Sequence, residues 1–163
     1  MSSPSVDEVY MQAALAQAEL ARQAGEVPVG AVVVCDGEII GRGYNQPIGS
    51  NDCTAHAEIN ALREACAKQQ NYRLSDCDLY VTLEPCAMCA GAIVHARIRH
   101  IYFAASDPKT GACGSLIDLV TSNPTGHRVV VSAGIMAEVA REQIQTFFKH
   151  RRAEKKRQKS DLD

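Results

Sequence analysis

Hydrophobic positions change period several times along this chain, and each change marks an element. Val9, Ala13, Ala16 and Leu20 recur at helical spacing, so a first helix should turn this face to a core. Ser5-Val6-Asp7-Glu8 has the spacing of a capping box and sets its start, and Gly25 is its natural stop. From Val27 to Cys35 the chain is β-branched and apolar without alternation, the pattern of a strand buried on both faces. Asp36-Gly37 supplies a two-residue hairpin turn, and Glu38 to Tyr44 returns as the partner strand. Gly41 and Gly43 weaken an interior strand; they suit an edge, or a place where a ligand passes close to backbone.

A polar loop, Asn45 to Cys53, leads to Thr54, placed to cap a helix carrying His56, Glu58, Ile59, Leu62 and Ala65. That helix should fade near Gln69 to Asn71. Asp78 to Leu83 reads as a central strand ended by Pro85, followed by a helix from Cys86 through Ile93 to about Ala96. His100 to Ala105 is a further short strand. Ser106 to Gly126 lacks a clear period, although Ser115 to Val120 has the makings of a helical turn; a loop this long is more often functional than filler. His127 to Ser132 is the last strand, and Ile135, Val139, Ile144 and Phe147-Phe148 give a final helix an apolar face. Strands alternating with helices imply an α/β sheet covered on both faces, with ligands gathering at the carboxyl ends of strands.

Composition narrows the class. A chain of 163 residues, 46% hydrophobic and 22% charged, suits one soluble globular domain. We expect that domain over residues 1–150, with 151–163 a basic tail that is either a helix end or disordered. No apolar run approaches membrane-spanning length, and Asp7 and Glu8 with no Lys or Arg before Arg22 argue against a signal peptide. Seven cysteines, an odd number, then read as reduced thiols and metal ligands in a cytoplasmic protein. The net charge of −2 is unevenly spread: Lys149 to Lys159 carries +6, leaving −8 on the remainder. Such an end is either a solvated helix terminus or a contact for a phosphate backbone.

The chemistry concentrates between His56 and Cys89. One imidazole and two thiolates, His56, Cys86 and Cys89, form a borderline-soft set suited to tetrahedral zinc. Three protein ligands leave one position for water, the hallmark of a catalytic rather than a structural zinc, and Glu58 then stands where a general acid and base is needed. Two other readings use the same residues. Cys53-x-x-His56 with Cys86-x-x-Cys89 is a four-ligand structural pattern, and Cys86 with Cys89 alone has redox-pair spacing.

His-x-Glu followed by Pro-Cys-x-x-Cys resembles the signature of zinc-dependent nucleoside and base deaminases. Glu26 to Ala31, His56 to Ile59, Thr82 to Ala92 and Ser106 to Ala112 are similar, more narrowly, to the tRNA-specific adenosine deaminases, as is Phe147-Phe148 followed by Arg151-Arg152. The resemblance covers most of the chain; the family usually has proline where this chain has Cys53. It implies a three-layer α/β/α sandwich with a mixed five-stranded sheet, one Zn2+ per chain, and a homodimer. It implies hydrolysis of adenosine to inosine at the wobble base of a tRNA anticodon stem-loop. Asn45 and Asp107 would contact the substrate, Glu58 would shuttle protons, and Lys109, Arg151 and Arg152 would meet the tRNA backbone. Two alternatives remain at this point: a free-base or nucleotide deaminase of the same fold, and a non-catalytic zinc module that binds RNA or protein.

Overall fold

The computed structural model describes residues 3–162. Its elements are α1 (Val6–Gln23), β1 (Gly30–Cys35), β2 (Glu38–Tyr44), a single turn α2 (Pro47–Ser50), α3 (Ala57–Gln69), β3 (Cys77–Leu83), α4 (Ala87–His95), β4 (His100–Ala105), β5 (Val130–Ala133) and α5 (Ala137–Ser160). The strands form one five-stranded mixed sheet in the order β2-β1-β3-β4-β5. β1 is antiparallel to both β2 and β3, whereas β3, β4 and β5 run parallel. The hairpin turn is as expected: Asp36 and Gly37 take φ of 50° and 76°, the left-handed pair that matches the twist of the strands it joins.

Alternation along β1 divides the core. Ala31 and Val33 join Leu79, Val81, Ile101 and Phe103 on the face covered by α3 and α4. Val32 and Val34 join Tyr80 and Ala104 on the face covered by α1 and α5. The result is the expected three-layer sandwich. On the second face Tyr80 stacks on Tyr102 at 4.4 Å and Tyr102 on His100 at 3.9 Å, one aromatic row crossing β3 and β4.

The capping box forms, with Ser5 Oγ accepting from Glu8 N at 3.2 Å. The buried face of α1 is rotated from the expected one. Met11, Ala14, Leu15, Ala18 and Ala21 face the sheet, while Val9 and Leu20 are 48% and 43% exposed. The reason is close approach: a Cβ on Gly30 would stand 2.0 Å from the Ala14 carbonyl oxygen, so the helix lies on β1 through its alanines. The final helix differs too. Only Ala140 of α5 is buried, and Val139 and Phe148 remain exposed. Residues 151–160 continue that helix.

β2 is an edge strand, as its glycines suggested, but helix rather than ligand lies against them. A Cβ on Gly41 would come within 2.3 Å of the Ala61 carbonyl oxygen, and one on Gly43 within 2.3 Å of that of Ala57. These two positions let α3 sit directly on the sheet, and α3 carries half of the site. The stretch 115–120 makes no helical turn. Cys113 instead pairs with Asp118 in an isolated bridge, and the Asp118 carboxylate accepts from Val120 N and Thr121 N. The last strand starts at Val130, later than expected, because the preceding segment is held by other contacts: Val129 N donates to Val120 O and the His127 ring meets Ile98 O.

Candidate metal centre and substrate pocket

The chain delivers two helix N-termini to one point at the carboxyl end of β3. Pro85 stops the strand, Cys86 becomes the N-cap residue of α4 in extended conformation, and Cys89 sits fully buried on its first turn. His56 is likewise the N-cap residue of α3. Neither makes a side-chain capping hydrogen bond, and both side chains turn to the site. The expected cap at Thr54 does not form, since its hydroxyl and amide both bond Asp52. Asn45, from the end of β2, takes that role, its Oδ1 accepting from Ala57 N at 2.9 Å.

His56, Cys86 and Cys89 bring their ligand atoms within 4.8 Å of one another. The Nδ1 of His56 lies 3.6 Å from Cys86 Sγ and 3.5 Å from Cys89 Sγ. Tetrahedral zinc bonds of about 2.0 Å to nitrogen and 2.3 Å to sulfur place those atoms roughly 3.6 Å apart, so both nitrogen–sulfur edges match what zinc requires. Cys53 is exposed and is not a member of the cluster, which removes the four-ligand pattern.

Electrostatics agree. The Cys86 thiol is lowered to about 4, first by the hydrogen bond from Cys89 and then by that from His56, against burial. Cys89 is pushed up, by that same bond and by burial. His56 is raised, chiefly by its bond to Cys86. The positive ends of α3 and α4 favour anionic sulfur here. Glu58, on the first turn of α3, is only 4% exposed, and burial raises its carboxyl above the usual range. A carboxyl so placed holds a proton closer to neutral pH, as a general acid and base must.

Beside the cluster lies a cavity of about 160 Å³ lined by Asn45, His56, Glu58, Glu84, Cys86, Asp107 and Thr110, with Val27, Val29 and Leu83 as its apolar wall. The structure thus gathers six of the nine residues singled out from sequence: the three ligands, Glu58, Asn45 and Asp107. Asp107 is tied into its loop, accepting from Lys109 N, Thr110 N and Thr110 Oγ1. Lys109 is exposed on that same loop. Arg151 and Arg152 lie on α5, away from this cavity. Arg151 stands 5.5 Å from the Phe147 ring in a wider groove of about 410 Å³ that also includes Arg22 and His150.

Two lining or supporting residues were not singled out from the sequence. Glu84 is 3% exposed and accepts from Asp107 N, Cys113 N, Ser115 N and Ser115 Oγ. Glu26 is 2% exposed and accepts from Ile48 N at 3.1 Å and Gly49 N at 2.7 Å. Each anchors a loop by its backbone. No short motif signals such a role, because the donors are amides far along the chain.

Residues 4–105 match the family described as the cytidine and deoxycytidylate deaminase zinc-binding region, which sets the class as zinc-dependent deaminase. The tRNA-specific adenosine deaminase of Haemophilus influenzae is 50% identical over 157 residues, 96% of this chain and 91% of that protein. That of Bacillus subtilis is 41% identical over 156 residues, 96% and 97% of the two chains. A solved structure from work on A-to-I editing by tRNA:A34 deaminases superposes with a TM-score of 0.79 at 46% identity, covering 83% of this chain and 98% of that one. The chain belongs to the tRNA-specific adenosine deaminases of that class.

Proposed function

We propose that this protein hydrolyses adenosine to inosine at the wobble position of a tRNA anticodon, releasing ammonia. The observation that carries the reading is the spacing of His56 Nδ1 at 3.6 and 3.5 Å from the two sulfurs, with a buried carboxyl beside them at one cavity. The whole-chain similarity to tRNA-specific adenosine deaminases supplies the substrate.

His56, Cys86 and Cys89 would hold zinc, and their chemistry and spacing fit it. Bound zinc supplies Lewis acidity that brings the pKa of a water molecule down to about 7. Glu58 takes the proton from the water that attacks the adenine ring carbon bearing the amino group. It delivers that proton to the adjacent ring nitrogen and transfers the second to the departing amine. Asn45 and Asp107 orient the base, Asn45 through the amide nitrogen its capping bond leaves available. Val27, Val29 and Leu83 wall the cavity with apolar surface and limit water. An anticodon base can be splayed from a single-stranded loop into such a pocket at modest cost.

Lys109, Arg151 and Arg152 contact the tRNA backbone in this reading, supported by the exposure of Lys109 and Arg152 and the +6 charge of residues 149–159. A homodimer forms across the face between α3 and α4, where Ile59, Leu62, Tyr72 and Ala92 line an open, largely apolar groove of about 460 Å³. Sedimentation across a concentration series reads this directly. No described helix is long and apolar enough to cross a membrane. The cytoplasm fits a tRNA substrate and a chain whose seven cysteines are all free thiols. The test of function is inosine mapping on an anticodon stem-loop with wild type and Glu58→Gln. The variant should keep its zinc and lose at least ~100-fold in rate; inosine formed by it at the wild-type rate overturns the assignment.

A further inference from the structure

We infer that Glu84 is a positioning residue, a buried anion that fixes the 106–115 loop as one wall of the substrate pocket. This rests on the deaminase reading above and adds a residue to it. The loop from Ser106 to Gly114 contains no helix or strand of its own, yet it must present Asp107 and Thr110 to the cavity at a fixed height. Glu84 directly follows β3, two residues before Cys86. Its Oε1 accepts from Asp107 N at 3.0 Å and from Ser115 Oγ. Its Oε2 accepts from Cys113 N at 3.1 Å and Ser115 N at 3.0 Å. The carboxylate thus grips the loop at both ends of its turn. The backbone between them is pressed against it: a Cβ on Gly111 would stand 2.4 Å from Glu84 Cδ.

Among the described residues no lysine, arginine or histidine pairs with Glu84. A buried charge is costly unless its lone pairs are met, and here four donors from the loop meet them. Loop order and carboxylate burial therefore require each other. Glu84 lines the cavity, but the hydrogen bonds of its carboxylate oxygens all run to the loop and it is not one of the clustered ligands. Its effect passes through the loop and Asp107.

Glu84→Gln is the test. It preserves shape but turns an amide nitrogen toward backbone N–H donors, breaking the grip without emptying the site. Backbone amides of Asp107, Cys113 and Ser115 should exchange hydrogen about 10-fold faster or more, while those of β3 stay as in wild type. Zinc content should remain one per chain. On an anticodon stem-loop kcat/KM should fall about 100-fold, the scale of a misplacement near 1 Å. In an Asp107→Ala background the same change should cost less than about 5-fold, because the residue it positions is gone. Equal factors in the two backgrounds, unchanged amide exchange, or loss of zinc each overturn the inference. Should Glu84→Gln fail to fold, Ser115→Ala removes one of the four donors and is read the same way, with a smaller effect. A wild-type protein that makes no inosine sinks the substrate assignment instead, and amide exchange still decides the role of Glu84.

Discussion

Substituting Gly43 by alanine probes how the site is held. The added methyl would meet the Ala57 carbonyl oxygen at 2.3 Å and the Ala61 amide nitrogen at 2.5 Å. Both are helix backbone and cannot swing aside. Ordinary contact needs about 1 Å more, so the start of α3 must recede from β2 by roughly that amount. Overpacking of this kind costs about 1–3 kcal/mol, offset by less than ~1 kcal/mol from the stiffer unfolded chain. The same recession carries His56, the cap of α3, away from sulfurs now 3.5 and 3.6 Å from its Nδ1. Metal sites tolerate only about 0.2 Å, so zinc affinity should drop as well. Denaturant unfolding of the zinc-free protein should show a net loss of about 2 kcal/mol. Metal analysis after dialysis should show sub-stoichiometric zinc. Gly41→Ala pushes on the same helix at Ala61, so the double variant should cost less than the sum. A Gly43→Ala protein within about 0.5 kcal/mol of wild type and fully loaded would refute the claim that these glycines set the height of the site.

Other outcomes follow from single contacts. Asn45→Ala removes the acceptor for Ala57 N and should cost about 1 kcal/mol of stability, with a larger loss of activity because the same side chain lines the cavity. Chelation of zinc should lower the melting temperature by on the order of 10 °C for metal bound about 1,000-fold above its Kd. Reloading at neutral pH should release protons, since Cys89 holds its proton until it binds as a thiolate; calorimetry in two buffers reads this. Burial lowers the pKa of His100 within the aromatic row. Its stabilising contribution is therefore complete above the unfolded value of about 6.5 and is lost as pH falls through the folded one. His100→Gln should flatten the decline in stability between about pH 7 and 5; an unchanged slope contradicts this.

The strands and the cysteine pair were readable in the sequence for a shared reason: both are local signals. β1, β2, β3 and β4 show their burial and turns within a few residues, and Cys86 and Cys89 are one helical turn apart. What escaped was set by distant partners. The buried face of α1 consists largely of alanines, whose signal is weak beside Val9 and Leu20, and it was decided by the bare backbone of Gly30. The cap of α3 comes from Asn45 across a whole loop rather than from adjacent Thr54. Glu26 and Glu84 looked like ordinary acids, and only folding reveals the amides that surround them.

The last helix has a mechanical consequence. Its 24 residues span about 36 Å, yet Ala140 alone is buried and residues 152–162 are all exposed. The distal half is a cantilevered cationic rod whose removal takes nothing from the core. Charge there can be edited, phosphomimetically reversed or cut away while the melting curve of the body stays put.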